Sequence, residues 1–172
     1  MSAINIAEVS RTPRAGVKGP GAAAWLAALG LPVPDAPNTW LSIEGGLIAR
    51  LGLAEFLVEG AESAKLAAPP AHGVYPVLRQ DTALVLTGER LDELLAEVCS
   101  VDFQALDPAA HPVVLTTMAG VTVVAIPTEE SGMSALRLWC DSTWGAWFSD
   151  TLAEVAGELI QPIPTNHQGA TS

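Results

Sequence analysis

Cations are scarce in this chain. Lysine and arginine account for 8 of its 172 residues, against 19 aspartates and glutamates, so the formal net charge is −11. A surface of that sign repels phosphate backbones, which argues against nucleic-acid binding. Cysteine is scarce too. Cys99 and Cys140 show no ligand spacing and read as small core residues that a reducing compartment leaves as thiols. The opening MSAINIAEVSRT has no apolar signal core, which points to a cytoplasmic protein. A membrane-crossing run is also missing. The long stretch without formal charge, AAHPVVLTTMAGVTVVAIPT over residues 109–128, is rich in β-branched residues. Pro112 and Pro127 flank it and Ala119-Gly120 breaks it, so it reads as a buried hairpin instead of a spanning helix.

What is present is apolar mass. Hydrophobic residues make up 49% of the chain and charged ones 16%, enough for a sizeable core and too little charge for disorder. The mean hydropathy of +0.35 leans further, towards a large buried interface. The few cations are unevenly placed: Arg11, Arg14 and Lys18 share the first residues with Glu8 as the single acid. This basic arm is either a solvated terminus or a docking arm for an acidic partner.

The stretch AGVKGPGAAAWLAALG raises the question of a phosphate cradle. A dinucleotide fingerprint needs G-x-G-x-x-G, and here Gly19-Pro20-Gly21 continues as Ala22-Ala23-Ala24. Walker's Gly-Lys-Ser/Thr is absent as well. Pro20 removes a backbone N–H from any cradle and suits the first turn of a helix. The corner therefore reads as a turn feeding a helix whose Ala22, Trp25, Leu26 and Leu29 share one face, with Gly30 as its stop.

Further along, TWLSIE, LIARLG and EFLVEG read as strands, AESAKLAAP as a short helix, and GVYPVLRQD as the start of a second half. ALVLTG is a strand ending at Thr87-Gly88. ERLDELLAEVC is an amphipathic helix with Leu91, Leu94, Leu95 and Val98 on one face. PVVLTTM, VTVVAIP and SALRLWC follow as strands. The last helix begins in DSTWGAWF, with Asp141 or Ser142 as N-cap and Trp144, Trp147, Phe148, Leu152 and Val155 as its apolar stripe. The halves echo each other: VKGPGAAAWLAALG answers VLTGERLDELLAEV, GGLIARLG answers AGVTVVAIP, and EFLVEG answers ALRLWC. The expected architecture is α+β, two related β-α-β-β-β-α units with largely antiparallel sheets. Residues 1–13 form an extended arm, 14–70 the first unit, 71–160 the second and 161–172 a flexible tail.

No self-sufficient catalytic constellation is visible. His72, His111 and His167 are scattered, without zinc spacing, and Ser131-Gly132 lacks the nucleophile-elbow pattern. Arg79 in RQD is either an ion-pair partner locking a connection or an anion contact. Five tryptophans stand against one tyrosine and three phenylalanines. Trp144 and Trp147 lie three residues apart on one helix, which suits one ring turned inward and one towards a partner.

The segments RQDTALVLTGERLDELLAEVCSVDF and ALRLWCDSTWGAWFSDTLAEVA, with KGPGAAAWLAALGLPVPDAPNTW near the start, resemble the gamma subunits of heterotetrameric sarcosine oxidase and N-methylglutamate dehydrogenase. The resemblance covers residues 14–160. It implies a fold similar to the folate-binding part of glycine-cleavage aminomethyltransferase. It also implies an accessory role beside a large alpha subunit, with beta and delta subunits completing the complex. FAD, FMN, NAD, zinc and tetrahydrofolate are then expected in those partner subunits, with no cofactor, metal or catalytic residue in this chain. Arg11, Arg14, Lys18, Arg79, Trp144 and Trp147 are the candidate partner interface. The transferases place an acidic pair after a Gly-Gly hairpin turn; the matching stretch MAGVTVVAIPTE has Val123 and Val124 there. Valine relays no proton, and Glu129 and Glu130 lie too far on to restore the position. The alternatives are a free-standing tetrahydrofolate-binding protein or one-carbon transferase, and a self-associating scaffold.

Overall fold

The computed structural model describes residues 4–160. The tail over 161–172 lies outside them. Among the described residues, ten strands form two antiparallel sheets of five. Strands β1 (Asn5–Glu8) and β2 (Arg14–Lys18) lead into helix α1 (Ala22–Ala28), followed by β3 (Thr39–Ile43), β4 (Gly46–Arg50) and β5 (Glu55–Glu59). Strands β6 (Tyr75–Val77) and β7 (Thr82–Thr87) lead into α2 (Leu91–Val98), then β8 (Val114–Met118), β9 (Val121–Glu130), β10 (Met133–Cys140) and α3 (Gly145–Ile160).

One sheet runs β6-β2-β5-β4-β3 and the other β1-β7-β10-β9-β8. Strand for strand these are the same order, as the sequence echo requires. The α+β expectation of two related antiparallel units holds. One edge strand of each sheet is supplied by the segment that leads into the other sheet. Thus β1 pairs with β7 through Asn5↔Thr87 to Glu8↔Leu84, and β6 pairs with β2 through Gly16↔Val77 to Lys18↔Tyr75. Pro76 sits in this edge strand, where a missing N–H is tolerated.

Period-two alternation sorts the side chains into layers. On the first sheet Val17, Ile48, Phe56 and Val58 face α1, packing on Ala22, Trp25 and Leu26. On the second, Leu84, Leu86, Val123, Leu136 and Leu138 face α2 and α3, meeting Leu91, Leu94, Leu95, Phe148 and Leu152. The inner faces of the two sheets close on each other through Leu47, Ala49, Leu57, Ala83, Ile126 and Trp139. The result is four layers: helix, sheet, sheet, helices.

Two local expectations need correction. The AESAKLAAP segment is a 3-10 turn over Ala61–Ala67, not an α-helix. It is short, and Pro69 and Pro70 behind it disfavour helical backbone and supply no N–H. The last helix starts at Gly145, later than the cap residues suggested. Asp141 caps a preceding turn, its Oδ1 accepting from Thr143 N at 2.8 Å and Thr143 Oγ1 at 2.6 Å. Those hydrogen bonds hold its carboxyl below the usual range. Trp144 precedes the helix and Trp147 lies on the side away from the buried Phe148 and Leu152; they are 54% and 51% exposed, so neither belongs to the buried stripe. Gly145 has a packing reason: a Cβ there would meet Thr82 Oγ1 at 2.0 Å.

Candidate functional site

The glycine corner is architecture. Gly19 N donates to Ala54 O at 2.9 Å, Gly21 N to Gly73 O at 3.1 Å and Ala22 N to Gly19 O at 3.0 Å. With these amides engaged and Pro20 lacking one, the corner over residues 19–22 has no free N–H to offer a phosphate. Gly19 has φ +118°, and a Cβ there would sit 2.2 Å from Gly73 O. Glycine is needed for a chain crossing.

The polar centre of the molecule lies between the sheets. Glu59 is fully buried at the end of β5. Its Oε2 accepts from Arg14 Nε at 3.2 Å and from Trp139 Nε1 at 2.7 Å. Arg137 Nη1 lies 3.1 Å from Oε1, a Coulombic contact whose geometry falls short of a hydrogen bond. Arg14 donates further to the carbonyls of Asp81 at 2.8 Å and Val9 at 3.2 Å. One carboxylate thereby ties β2 and β5 of one sheet to β10 of the other, and the arm to the start of β7. Both hydrogen bonds fall on Oε2, which is thereby committed to holding the sheets together.

Beside this centre a cleft of about 890 Å³ opens at the rim of the interlayer. Its origin is legible in two prolines. The β8–β9 register runs from Met118↔Val121 to Val114↔Ala125. The next hydrogen-bonded pair would oppose Pro112 to Pro127, neither of which has an N–H, so the ladder stops. The chain before β8 pairs with the first sheet instead, through the Thr39↔Pro112 bridge. Trp40 N donates to His111 O at 3.0 Å and Val113 N to Asn38 O at 2.8 Å. The end of β9 is left with a vacated edge facing the cleft.

The walls include Trp40, Leu47, Leu95, Phe103, Thr128 and Arg137, and Asp92, Glu129 and Glu130 line it too. His111 stacks on Trp40 at 5.1 Å between ring centroids. Its Nδ1 lies 3.2 Å from the Trp40 carbonyl oxygen, an acceptor that selects the Nδ1–H tautomer. Trp40 Nε1, Thr128 Oγ1 and Arg137 Nε are buried in the wall without partners. The arrangement offers shape, hydrogen-bond donors and an acidic rim. Val123 packs under α2 and α3 and Val124 against the interlayer. Neither supplies a titratable group.

The predicted interface residues separate. Arg11 and Lys18 are exposed. Arg14 is corrected: its side chain is 4% exposed and faces Glu59, because alternation along β2 points it inward. Arg79 takes the ion-pair reading, with Nη2 2.6 Å from Glu55 Oε1, and its side chain lies against Gly16. Trp144 and Trp147 form an exposed edge-to-face pair, centroids 6.2 Å apart. Glu59 and Arg137 escaped the sequence reading. The available signal was charge in two otherwise apolar strands: Glu55 and Glu59 at the ends of EFLVE and Arg137 inside ALRLWC.

Both cysteines are buried and free. His72 and His111 are exposed; His167 lies outside the described residues. Among the described residues no helix is long and apolar enough to cross a membrane.

No protein-family description matches the chain, and no curated protein does. Solved structures do. A chain of the heterotetrameric sarcosine oxidase from Corynebacterium sp. U-96, in complex with pyrrole 2-carboxylate, matches with a TM-score of 0.76 at 22% identity. That match covers 93% of this chain and 87% of the other. The glycine cleavage system aminomethyltransferase T from Bartonella henselae matches with a TM-score of 0.65 at 12% identity, covering 87% of this chain and 45% of the transferase. The fold is the one these structures share.

Proposed function

We propose that this chain is a non-catalytic accessory subunit, of the gamma type, in a flavin-dependent N-methyl amino acid oxidase or dehydrogenase complex of the sarcosine or N-methylglutamate class. Its role is to brace the large alpha subunit. The carrying observation is the extent of the match. The oxidase chain is covered over 87% of its length, whereas the transferase is covered over 45% and has most of its residues outside the shared fold. The interior supports the same reading, since the buried Glu59 carboxylate and the guanidinium groups of Arg14 and Arg137 hold the sheets together.

Partners on this reading are the alpha, beta and delta chains, with assembly in the cytoplasm. FAD, FMN, NAD, zinc and tetrahydrofolate are assigned to those chains. The residues here do not fit a dinucleotide, whose pyrophosphate would find the corner amides already bonded. Nor do Val123 and Val124 fit the acidic role that one-carbon transfer requires. Of the proposed docking residues, Arg11, Lys18, Trp144 and Trp147 remain on the surface. The test is co-expression with the neighbouring subunits, followed by size exclusion and a flavin absorbance scan. Co-elution with a flavin-bearing complex is expected. A complex equally stable and active without this chain overturns the proposal.

A second reading is favoured by one observation: the cleft of about 890 Å³ holds unpartnered donors in its wall. That is the feature a free-standing tetrahydrofolate-binding protein or transferase would need. Calorimetry of the isolated chain with tetrahydrofolate separates the two, and micromolar binding would promote the second.

A further inference from the structure

Helix α3 runs against two electrostatic preferences. Its exposed carboxylates Asp150, Glu154 and Glu158 follow one another a turn apart along one face, where like charges repel. Its last turn holds no base, so Glu158 there opposes the helix dipole. Some relief comes from Arg90, which donates to the Leu159 carbonyl, but its guanidinium is shared with Glu93. At the other end of the same surface Trp144 and Trp147 expose about half of each ring, and Asp141 stands just before them. Local rules broken together, with only Arg90 to offset them among the described residues, mark a surface completed from outside.

We infer that this face docks a cationic protein surface: arginine and lysine side chains of the large subunit. Their charged heads lie on the two indoles and meet Asp141, Asp150, Glu154 and Glu158. Three arguments select this occupant. Indole faces attract guanidinium and ammonium groups, and exposed tryptophans are the side chains that dominate binding energy at interfaces. The acids supply charge complementarity, which speeds and orients association. A second copy of this chain is disfavoured, because it would bring the same carboxylates and a net charge of −11 against them. The inference rests on the accessory-subunit reading and deepens it by naming the partner's chemistry.

The test compares the wild type with D150K/E154K/E158K, W144A/W147A and a distant charge control, D35K/E44K, each titrated into the co-expressed large subunit. Wild-type affinity is expected to fall at least about tenfold between roughly 50 and 300 mM salt. The triple reversal and the double alanine variant should each lose about a hundredfold, while the control stays within about twofold. The triple variant alone should melt about 1–3 °C higher than wild type, because a cation near the helix C-terminus suits the dipole and the net charge of −11 is roughly halved. Weaker assembly with a more stable monomer is a combination that a structural role for these acids does not produce. Assembly of all variants within twofold of wild type overturns the inference and leaves the accessory reading standing. A triple variant that melts lower also overturns it. A homodimer dispersed by the triple reversal gives the face to a second copy and overturns it too. A wild type that never meets the large subunit removes the accessory reading, and this inference with it.

Discussion

The two units present the same strand order to each other across one interior, and they differ in what each contributes at the meeting line. Pairing EFLVEG with ALRLWC makes Glu59 the counterpart of Trp139. These two side chains are hydrogen-bonded to each other at 2.7 Å. Equivalent positions of two related units meet where the units face, so identical residues there would confront themselves. Two glutamates would repel and two indoles would have donors without an acceptor. One acid and one donor resolve the conflict. Likewise Arg14, opposite Glu59 in β2–β5, answers Ala83, opposite Trp139 in β7–β10. The polar cluster is therefore a product of divergence between the halves. Their outer faces diverge as well. The first sheet carries a seven-residue helix and a 3-10 turn, whereas the second carries α2 and the sixteen-residue α3. The more heavily covered unit is the one that exposes tryptophans.

The severest way to break this comparison is at its centre. Glu59→Ala leaves two guanidinium groups in the interlayer without their carboxylate. Removing one partner of a buried charge cluster costs about 3–5 kcal/mol, to be read from urea unfolding. A loss below about 1 kcal/mol would mean that apolar contacts alone join the units.

The two glycine corners sharpen the comparison at lower cost. Gly19 and Gly88 occupy matching turns with φ +118° and +139°, so alanine strains the backbone at both. A Cβ at Gly19 would also sit 2.2 Å from the Gly73 carbonyl oxygen. Gly19→Ala should cost about 2–4 kcal/mol, and the φ strain of Gly88→Ala alone about 1–3 kcal/mol. A Gly19→Ala loss below about 1 kcal/mol would show that the crossing with Gly73 carries no weight.

Much of this was legible in advance. The order of elements, the echo of the halves, the α2 stripe at Leu91, Leu94 and Leu95, and the hairpin broken at Ala119-Gly120 all follow from periodicity and turn chemistry. Those signals are local, and what escaped is not. The exchange of β1 and β6 involves strands of four and three residues, too short to carry a pattern, whose partners are chosen by distant edges. Arg14 looked like part of a basic arm because neighbouring charges are read together along a chain. On a strand they alternate, and only the partner sheet decides which side is buried. The cleft was half visible: Pro112 and Pro127 stood out as flanks, but their opposition depends on the register that the intervening turn sets. Trp144 and Trp147 were placed on the apolar stripe because both are large and apolar, but Trp144 precedes the helix and Trp147 lies about 100° round it from the buried Phe148.

The mildest test concerns the second unit alone, at the junction of β10 and α3. Burial pushes the Cys140 thiol up from 9.0 to about 11, with the charges of Asp81 and Asp141 adding to the effect. The folded chain thus holds this proton more tightly than the unfolded chain. The resulting stabilisation is fully present below pH 9 and is lost as pH rises through about 11. Cys140→Ala should flatten the decline in unfolding free energy across that window, while wild type keeps it. The thiol should also react slowly with iodoacetamide near neutral pH, because thiolate is the attacking species and little of it forms. Rapid labelling of Cys140 in the folded chain would mean that the end of β10 opens readily. The base of α3 would then be a hinge, where the close approach of Gly145 to Thr82 argues for a fixed joint.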